Sequence, residues 1–175
     1  MAEAAPHRLP DADVVRLPRR DEVLVTAADP DFDAFYVASA PELIRTATLI
    51  VGSRAIAEDL VQDAFVRVHA RWATVTHPTA YARRAVVNAC RSHLRRRVLE
   101  RRHRATLAEG VAELEARELL DALAALPSRQ RAAVVLRFYS GLSERETADA
   151  LDCAPGTVGS LVHRALASLR DAIER

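Results

Sequence analysis

The sequence predicts an all-α chain: two small helical domains joined by a linker. Three observations carry this. Apolar residues recur at helical spacing, as in Val61, Phe65, Val68 and Trp72, which fall at i, i+4, i+7 and i+11 on one stripe. Strand alternation and repeats of fixed period are absent. Charge switches sign once: Arg83 to Arg104 carries nine arginines against one acid (Glu100), and Glu109 to Asp121 carries five acids against one arginine (Arg117). Such a switch fits a connecting segment, and 175 residues suit one domain or two small ones.

Residues 1 to 30 are rich in Asp, Pro and Ala without a period, and read as a poorly ordered tail. Helical pattern begins near Phe32 and continues through Phe35, Tyr36, Leu43, Ile44, Ala47 and Ile50, with a break or restart expected at Pro41. Gly52 ends this helix and Ser53 can cap the next. That next helix, about Ser53 to Trp72, buries the stripe named above. Its opposite side carries Asp59, Asp63, Val66 and Ala70, flanked by Glu58 and Gln62. An acidic face with an exposed valine suits docking to a basic partner, and equally suits plain solvation.

His77-Pro78-Thr79 marks a turn, and a third helix is expected from about Thr79 to Leu99. Arg83, Val87, Cys90, Leu94 and Val98 line one side. Arg84, Asn88, Arg91 and Arg95 recur on the adjacent side. The planar guanidinium fork matches phosphate, so this face is a candidate polyanion site, with a solvated linker as the plain alternative. Trp72 and Tyr81 stand near the helix start, where rings can stack on bases, although Trp72 fits core packing better. The domain boundaries read as 31–101 and 118–175, with 102–117 as linker.

In the second domain Leu119, Leu120, Leu123 and Leu126 form an apolar stripe. Pro127-Ser128 starts a helix filled by Val134, Val135, Leu136 and Phe138, and Gly141 ends it. Ser143 and Glu146 then make a capping box. Ala148 and Leu151 give an apolar edge, and Asp152 stands where the turn needs a residue tolerant of the left-handed region. In the last helix Val158, Leu161, Val162 and Leu166 read as inward, and Thr157, Ser160, His163 and Arg164 as outward. This is the layout of a helix-turn-helix, whose second helix enters the DNA major groove. An ordinary helical hairpin is the alternative.

Several function classes are excluded. The six histidines and two cysteines (Cys90 and Cys153) make no metal-ligand spacing or disulfide framework. No nucleophile motif or Gly-rich phosphate loop occurs, so neither enzyme activity, a small-molecule substrate nor a cofactor is expected. The start shows no secretory signal and no apolar run reaches bilayer length, so a cytoplasmic location is expected. All 25 basic residues are Arg, which coding bias explains better than function.

Taken in order, these segments resemble the extracytoplasmic-function type of RNA polymerase sigma factor, and in detail the actinobacterial-type SigE family. Three stretches carry the resemblance. Ala57-Glu58-Asp59-Leu60-Val61-Gln62-Asp63-Ala64-Phe65-Val66-Arg67-Val68 is similar to the helix that binds the polymerase clamp. Tyr81 to Arg97 is similar to the helix that melts and reads the minus-ten element. Leu126-Pro127-Ser128-Arg129-Gln130-Arg131 through Leu169-Arg170 is similar to the domain that reads the minus-thirty-five element.

The resemblance implies that Glu58, Asp59, Gln62, Asp63 and Val66 meet core RNA polymerase. It implies that Arg84, Asn88, Arg91, Arg95 and Arg96 touch the minus-ten strand, by stacking and backbone charge. Thr157, Ser160, His163 and Arg164 would face promoter DNA at the minus-thirty-five element. An anti-sigma factor is a common partner in the family. The chain departs from the family pattern at Gly159, where Lys is usual, and Leu161, where Arg is usual. The resemblance implies that those family basic residues face the groove or its phosphates, so their loss weakens a charge-driven term. Ala154 replaces a capping Ser, with Pro155 in partial compensation, and Ser92 replaces an Asp. The alternative is a stand-alone helix-turn-helix regulator, which leaves the acidic and arginine-striped helices without purpose.

Overall fold

A computed structural model describes residues 30–101 and 114–173. Residues 1–29 of the expected tail (1–30) and residues 102–113 of the expected linker (102–117) lie outside the described residues. The described chain is helical throughout, with no strand. α1 spans Pro30–Val51, α2 Arg54–His69, α3 Pro78–Arg101, α4 Leu114–Ala125, α5 Ser128–Val134, α6 Glu144–Leu151 and α7 Pro155–Ile173. A short 3-10 turn, Trp72–Thr74, separates α2 from α3.

The first domain is α1 to α3. α1 runs unbroken through Pro41, against the expected break. Proline has no N–H to give the Val37 carbonyl. Both residues lie on the exposed side of the helix, where water can take the missing bond. Gly52 stops α1 at φ 78, donating from its N–H to the Thr48 carbonyl at 2.7 Å. Ser53 caps α2, its hydroxyl accepting from the Ile56 N–H. Ala57, Val61, Ala64, Phe65 and Val68 are buried against α1 and α3. Trp72 packs edge-on to Phe32, with ring centroids 5.2 Å apart, and tilted on Phe35 at 5.1 Å. Its role is therefore core packing.

By length and composition Asp31–Val51 could cross a bilayer, which the sequence reading did not anticipate. Its apolar side is spent within the fold, with Ala40, Leu43, Ala47, Ile50 and Val51 buried.

The second domain is α4 to α7. α4 begins at Leu114, earlier than the expected Glu118, because Leu-Glu-Ala-Arg are good helix formers that extend it backward. Leu123 and Leu126 are buried as expected, but Leu119 is 54% exposed. After α5 the helix widens into a π turn, Val135–Tyr139, with the Ser140 N–H donating to the Val135 carbonyl at 3.0 Å. The extra residue in that turn shifts the side-chain register. Leu136 stays buried, whereas Phe138, expected inside, is exposed together with Tyr139. Gly141, at φ 65, ends the segment. Arg137 closes the loop by donating to the Leu142 carbonyl.

The two domains pack on each other, α3 against α6 and α1 against α4 and the π turn, and their apolar cores are continuous.

Candidate nucleic-acid interface

The helix-turn-helix forms as its local chemistry dictates. The Glu146 N–H donates to the Ser143 hydroxyl at 3.2 Å, and the Ser143 N–H donates to the Glu146 carboxylate at 2.9 Å. The Ser143 hydroxyl also donates to the Glu146 carboxylate at 2.6 Å, and this bond first, with the Ser143 N–H second, holds the Glu146 carboxyl below its ordinary range. Asp152 adopts φ 54, ψ 60 in the turn, and the Cys153 N–H bonds back to the Ala148 carbonyl at 3.1 Å. α7 then starts at Pro155, with the Thr157 N–H donating to the Ala154 carbonyl at 2.9 Å.

Val158, Leu161 and Ala165 seat α7 on α5 and α6. Ser160, His163 and Arg164 are exposed, and Thr157 is half-buried at the helix start. The Arg164 Nε donates to the Ser160 carbonyl at 3.1 Å, which holds the guanidinium along the outward side. Two expectations need correction. Leu161 is buried and faces the core, so it is not a groove-facing or phosphate-facing position. Leu166, expected inside, is exposed because Ala165 takes the inward place on that turn. Gly159 is outward as expected. A side chain there would meet only the Glu144 Oε1, at 3.6 Å.

α3 presents the arginine stripe on a helix anchored by Ala82, Val86, Val87 and Cys90, all fully buried. Arg84, Arg95 and Arg96 are exposed, and Asn88 and Arg91 are half-buried. Arg95 donates to the Ser92 hydroxyl at 2.9 Å, so Ser92 steadies a stripe arginine. The Arg91 Nη1 donates to the Asn88 side-chain Oδ1 at 3.5 Å.

Sequence reasoning missed what covers this stripe. The Arg84 guanidinium lies 2.7 Å from the Asp152 carboxylate, and the Arg91 Nη1 donates to the Leu151 carbonyl at 2.9 Å. The helix-turn-helix turn is thus seated on the arginine helix. Burial pushes the Arg91 pKa down, and the like charges of Arg129 and Arg95 push it further the same way. No periodicity links positions 60 and 68 residues apart. The only cue was a carboxylate at the turn.

α2 carries the acidic face. Asp59, Gln62 and Val66 are exposed, and Glu58 and Asp63 are half-buried. Arg54 donates to Glu58 at 2.8 Å across one helical turn. Val66, 42% exposed amid the acids, gives this face an apolar centre.

The family description Sigma-70 region 2 matches residues 35–99, and Sigma-70, region 4 matches residues 116–169. The chain belongs to the sigma-70 family. Among its relatives is the RNA polymerase sigma-E factor of Streptomyces coelicolor, 34% identical over 152 residues that cover 82% of this chain and 86% of that one. The ECF RNA polymerase sigma factor SigM of Mycobacterium tuberculosis is 34% identical over 149 residues, 79% of this chain and 74% of that one. The sigma factor RpoE of Bartonella quintana, solved in complex with the anti-sigma factor NepR, superposes with a TM-score of 0.68 at 26% identity, covering 82% of this chain and 97% of that chain.

The protein is therefore an RNA polymerase sigma factor of the extracytoplasmic-function type. The stand-alone regulator reading gains no support from these likenesses. Region 2 of the sigma factor holds the acidic face and the arginine stripe, and region 4 holds the helix-turn-helix.

Proposed function

We propose that this sigma factor docks on core RNA polymerase through the acidic face of α2 and reads promoter DNA through α3 and α7. The observation that carries this reading is the order of three outward faces along one chain: acidic with an apolar centre, arginine-striped, then helix-turn-helix. Glu58, Asp59, Gln62, Asp63 and Val66 meet the polymerase clamp. Arg84, Asn88, Arg91, Arg95 and Arg96 hold the minus-ten strand by phosphate contacts and by binding unpaired bases, which favours duplex opening. Thr157, Ser160, His163 and Arg164 face the minus-thirty-five element. The chain performs no chemistry of its own, and its work is binding and positioning. Its working domains are 31–101 and 118–175, with 102–117 between them, and it acts in the cytoplasm, where the polymerase and promoter are.

An anti-sigma factor is a further partner by likeness to Bartonella RpoE, which was solved with NepR. The docking role is tested by Asp63→Arg. Reversing a charge at the centre of the acidic face abolishes co-purification with core polymerase, while far-UV circular dichroism stays unchanged. A folded variant that still co-purifies at the wild-type level contradicts the role.

A further inference from the structure

The outward side of α7 is bare over its first turns. Gly156 and Gly159 stand about one helical turn apart there, both exposed. A Cβ on Gly156 would meet nothing within 4 Å, and one on Gly159 would meet only the Glu144 Oε1, at 3.6 Å. The Glu144 carboxylate, from the start of α6, thus stands beside the place that a side chain at 159 would take. We infer that Glu144 reads a cytosine of the minus-thirty-five element across Gly159, a role that rests on the proposed placement of α7 in the major groove.

The polar groups around Gly159 are disposed as acceptors. Ser160 spends its hydroxyl proton on the Gly156 carbonyl, at 3.3 Å, which leaves its lone pairs free to accept. The Arg164 Nε is likewise spent, on the Ser160 carbonyl. Glu146, two residues beyond Glu144, is tied to the Ser143 N–H and hydroxyl at 2.9 and 2.6 Å. Glu144 has no such tie, and among the described residues no ion pair holds its carboxylate. An acid in the first turn of a helix also suits the dipole, but that role sets no direction for the side chain.

Cytosine is the base whose major-groove edge offers an amino donor with no acceptor beside it. Adenine sets N7 next to its N6 amino group, guanine shows N7 and O6, and thymine shows O4 and a methyl group. A carboxylate is repelled by each of those acceptors and accepts from the cytosine N4 amino group. Glycine lets the helix backbone approach the base edges closely, which brings a carboxylate lying near Cβ height within reach. The same negative charge lowers affinity for phosphate on every sequence. Glu144 therefore gives up affinity and gains discrimination.

The test uses the full chain bound to core polymerase. The DNA is a promoter mapped from its own transcript starts, with the minus-thirty-five element randomised, and the bound fraction is sequenced. Wild type enriches cytosine at one position by about fivefold or more. Glu144→Gln moves the preference at that position to adenine, whose N6 and N7 a glutamine amide pairs bidentately. Glu144→Ala abolishes the preference there and leaves those at other positions, because Ser160, His163 and Arg164 are untouched. Glu144 is exposed, so circular dichroism of both variants matches wild type.

Unchanged base preference in both variants overturns the reading by Glu144. A uniform rise in binding to every sequence, with no shift of preference, overturns it as well and assigns the carboxylate to repulsion of phosphate. Loss of preference at every position in either variant marks a structural role and also overturns it. A wild-type chain without preference at any position of the element overturns the placement of α7 itself, and the role of Glu144 falls with it.

Discussion

Arg131 and Ile50 join the two domains of this sigma factor. The Arg131 Nη1 donates to the Ile50 carbonyl at 2.8 Å, at the C-terminal turn of α1. The Nη2 of the same guanidinium donates to the Ala124 and Leu126 carbonyls at 2.7 and 3.1 Å, at the end of α4. One cation thus satisfies the last carbonyls of two helices from different domains, where the helix dipole also favours positive charge.

Removing that guanidinium destabilises the protein. Charge-assisted hydrogen bonds are worth about 1.5–3 kcal/mol each and do not add fully, so Arg131→Met is expected to cost about 3 kcal/mol. Urea denaturation checks this, and an unchanged midpoint contradicts it. Arg131→Lys recovers only part of the loss, because a single ammonium cannot fork to both helix ends.

Gly159 and Leu161, two positions of α7, behave oppositely. Gly159→Arg adds an outward cation, so promoter affinity rises and the salt dependence steepens by about one unit in the log–log slope. Glu144 Oε1 stands beside that position and captures part of the gain, so the effect is larger in a Glu144→Gln background. Leu161→Arg instead forces a charge into the seat of α7 and costs at least about 2 kcal/mol, in the range of core deletions. A Leu161→Arg variant with wild-type stability and stronger DNA binding contradicts the inward placement.

The cap of α6 is local and separable. Ser143→Ala removes the acceptor for the Glu146 N–H and costs about 1 kcal/mol. The Glu146 carboxyl is held low by the Ser143 hydroxyl first and the Ser143 N–H second. A depressed carboxyl contributes stability above its unfolded value and loses it as pH falls through the folded one. The difference between wild type and Ser143→Ala therefore shrinks toward acid. Equal stability differences at pH 7 and pH 3, from denaturation at each pH, contradict the box.

Thiol chemistry distinguishes the two cysteines. Burial pushes the Cys90 thiol from 9.0 up to about 12, while Cys153 is half-buried in the turn. At pH 8 a disulfide reagent titrates one thiol in the native chain and two in denaturant. The folded state holds the Cys90 proton where the unfolded chain has lost it, so this contribution to stability is present below about pH 9 and declines toward pH 12. Two fast native thiols contradict the burial of Cys90.

What was legible in the sequence was local. Gly52 and Ser53, the Ser143–Glu146 box and the left-handed Asp152 each act within a few residues, and each stands in the structure as its chemistry requires. The buried stripe of α2 followed from period alone. Pro41 was misread because a missing N–H breaks a helix only where nothing else can satisfy the orphaned carbonyl. Phe138 was misread because a π turn changes the period that placed it inside. The Arg84–Asp152 and Arg131–Ile50 contacts span 68 and 81 residues, and no spacing rule reaches that far. Arg84 and Arg91, half of the four-residue stripe, are legible by period alone, and the turn packed over them is not.

The most direct test of the central claim is run-off transcription by purified core RNA polymerase, with and without this chain, on promoters mapped from its own transcript starts. The account predicts transcripts from defined starts only when the chain is present, lost with Asp63→Arg and reduced with Asn88→Ala and Arg91→Ala. Equal transcription with and without the chain contradicts it.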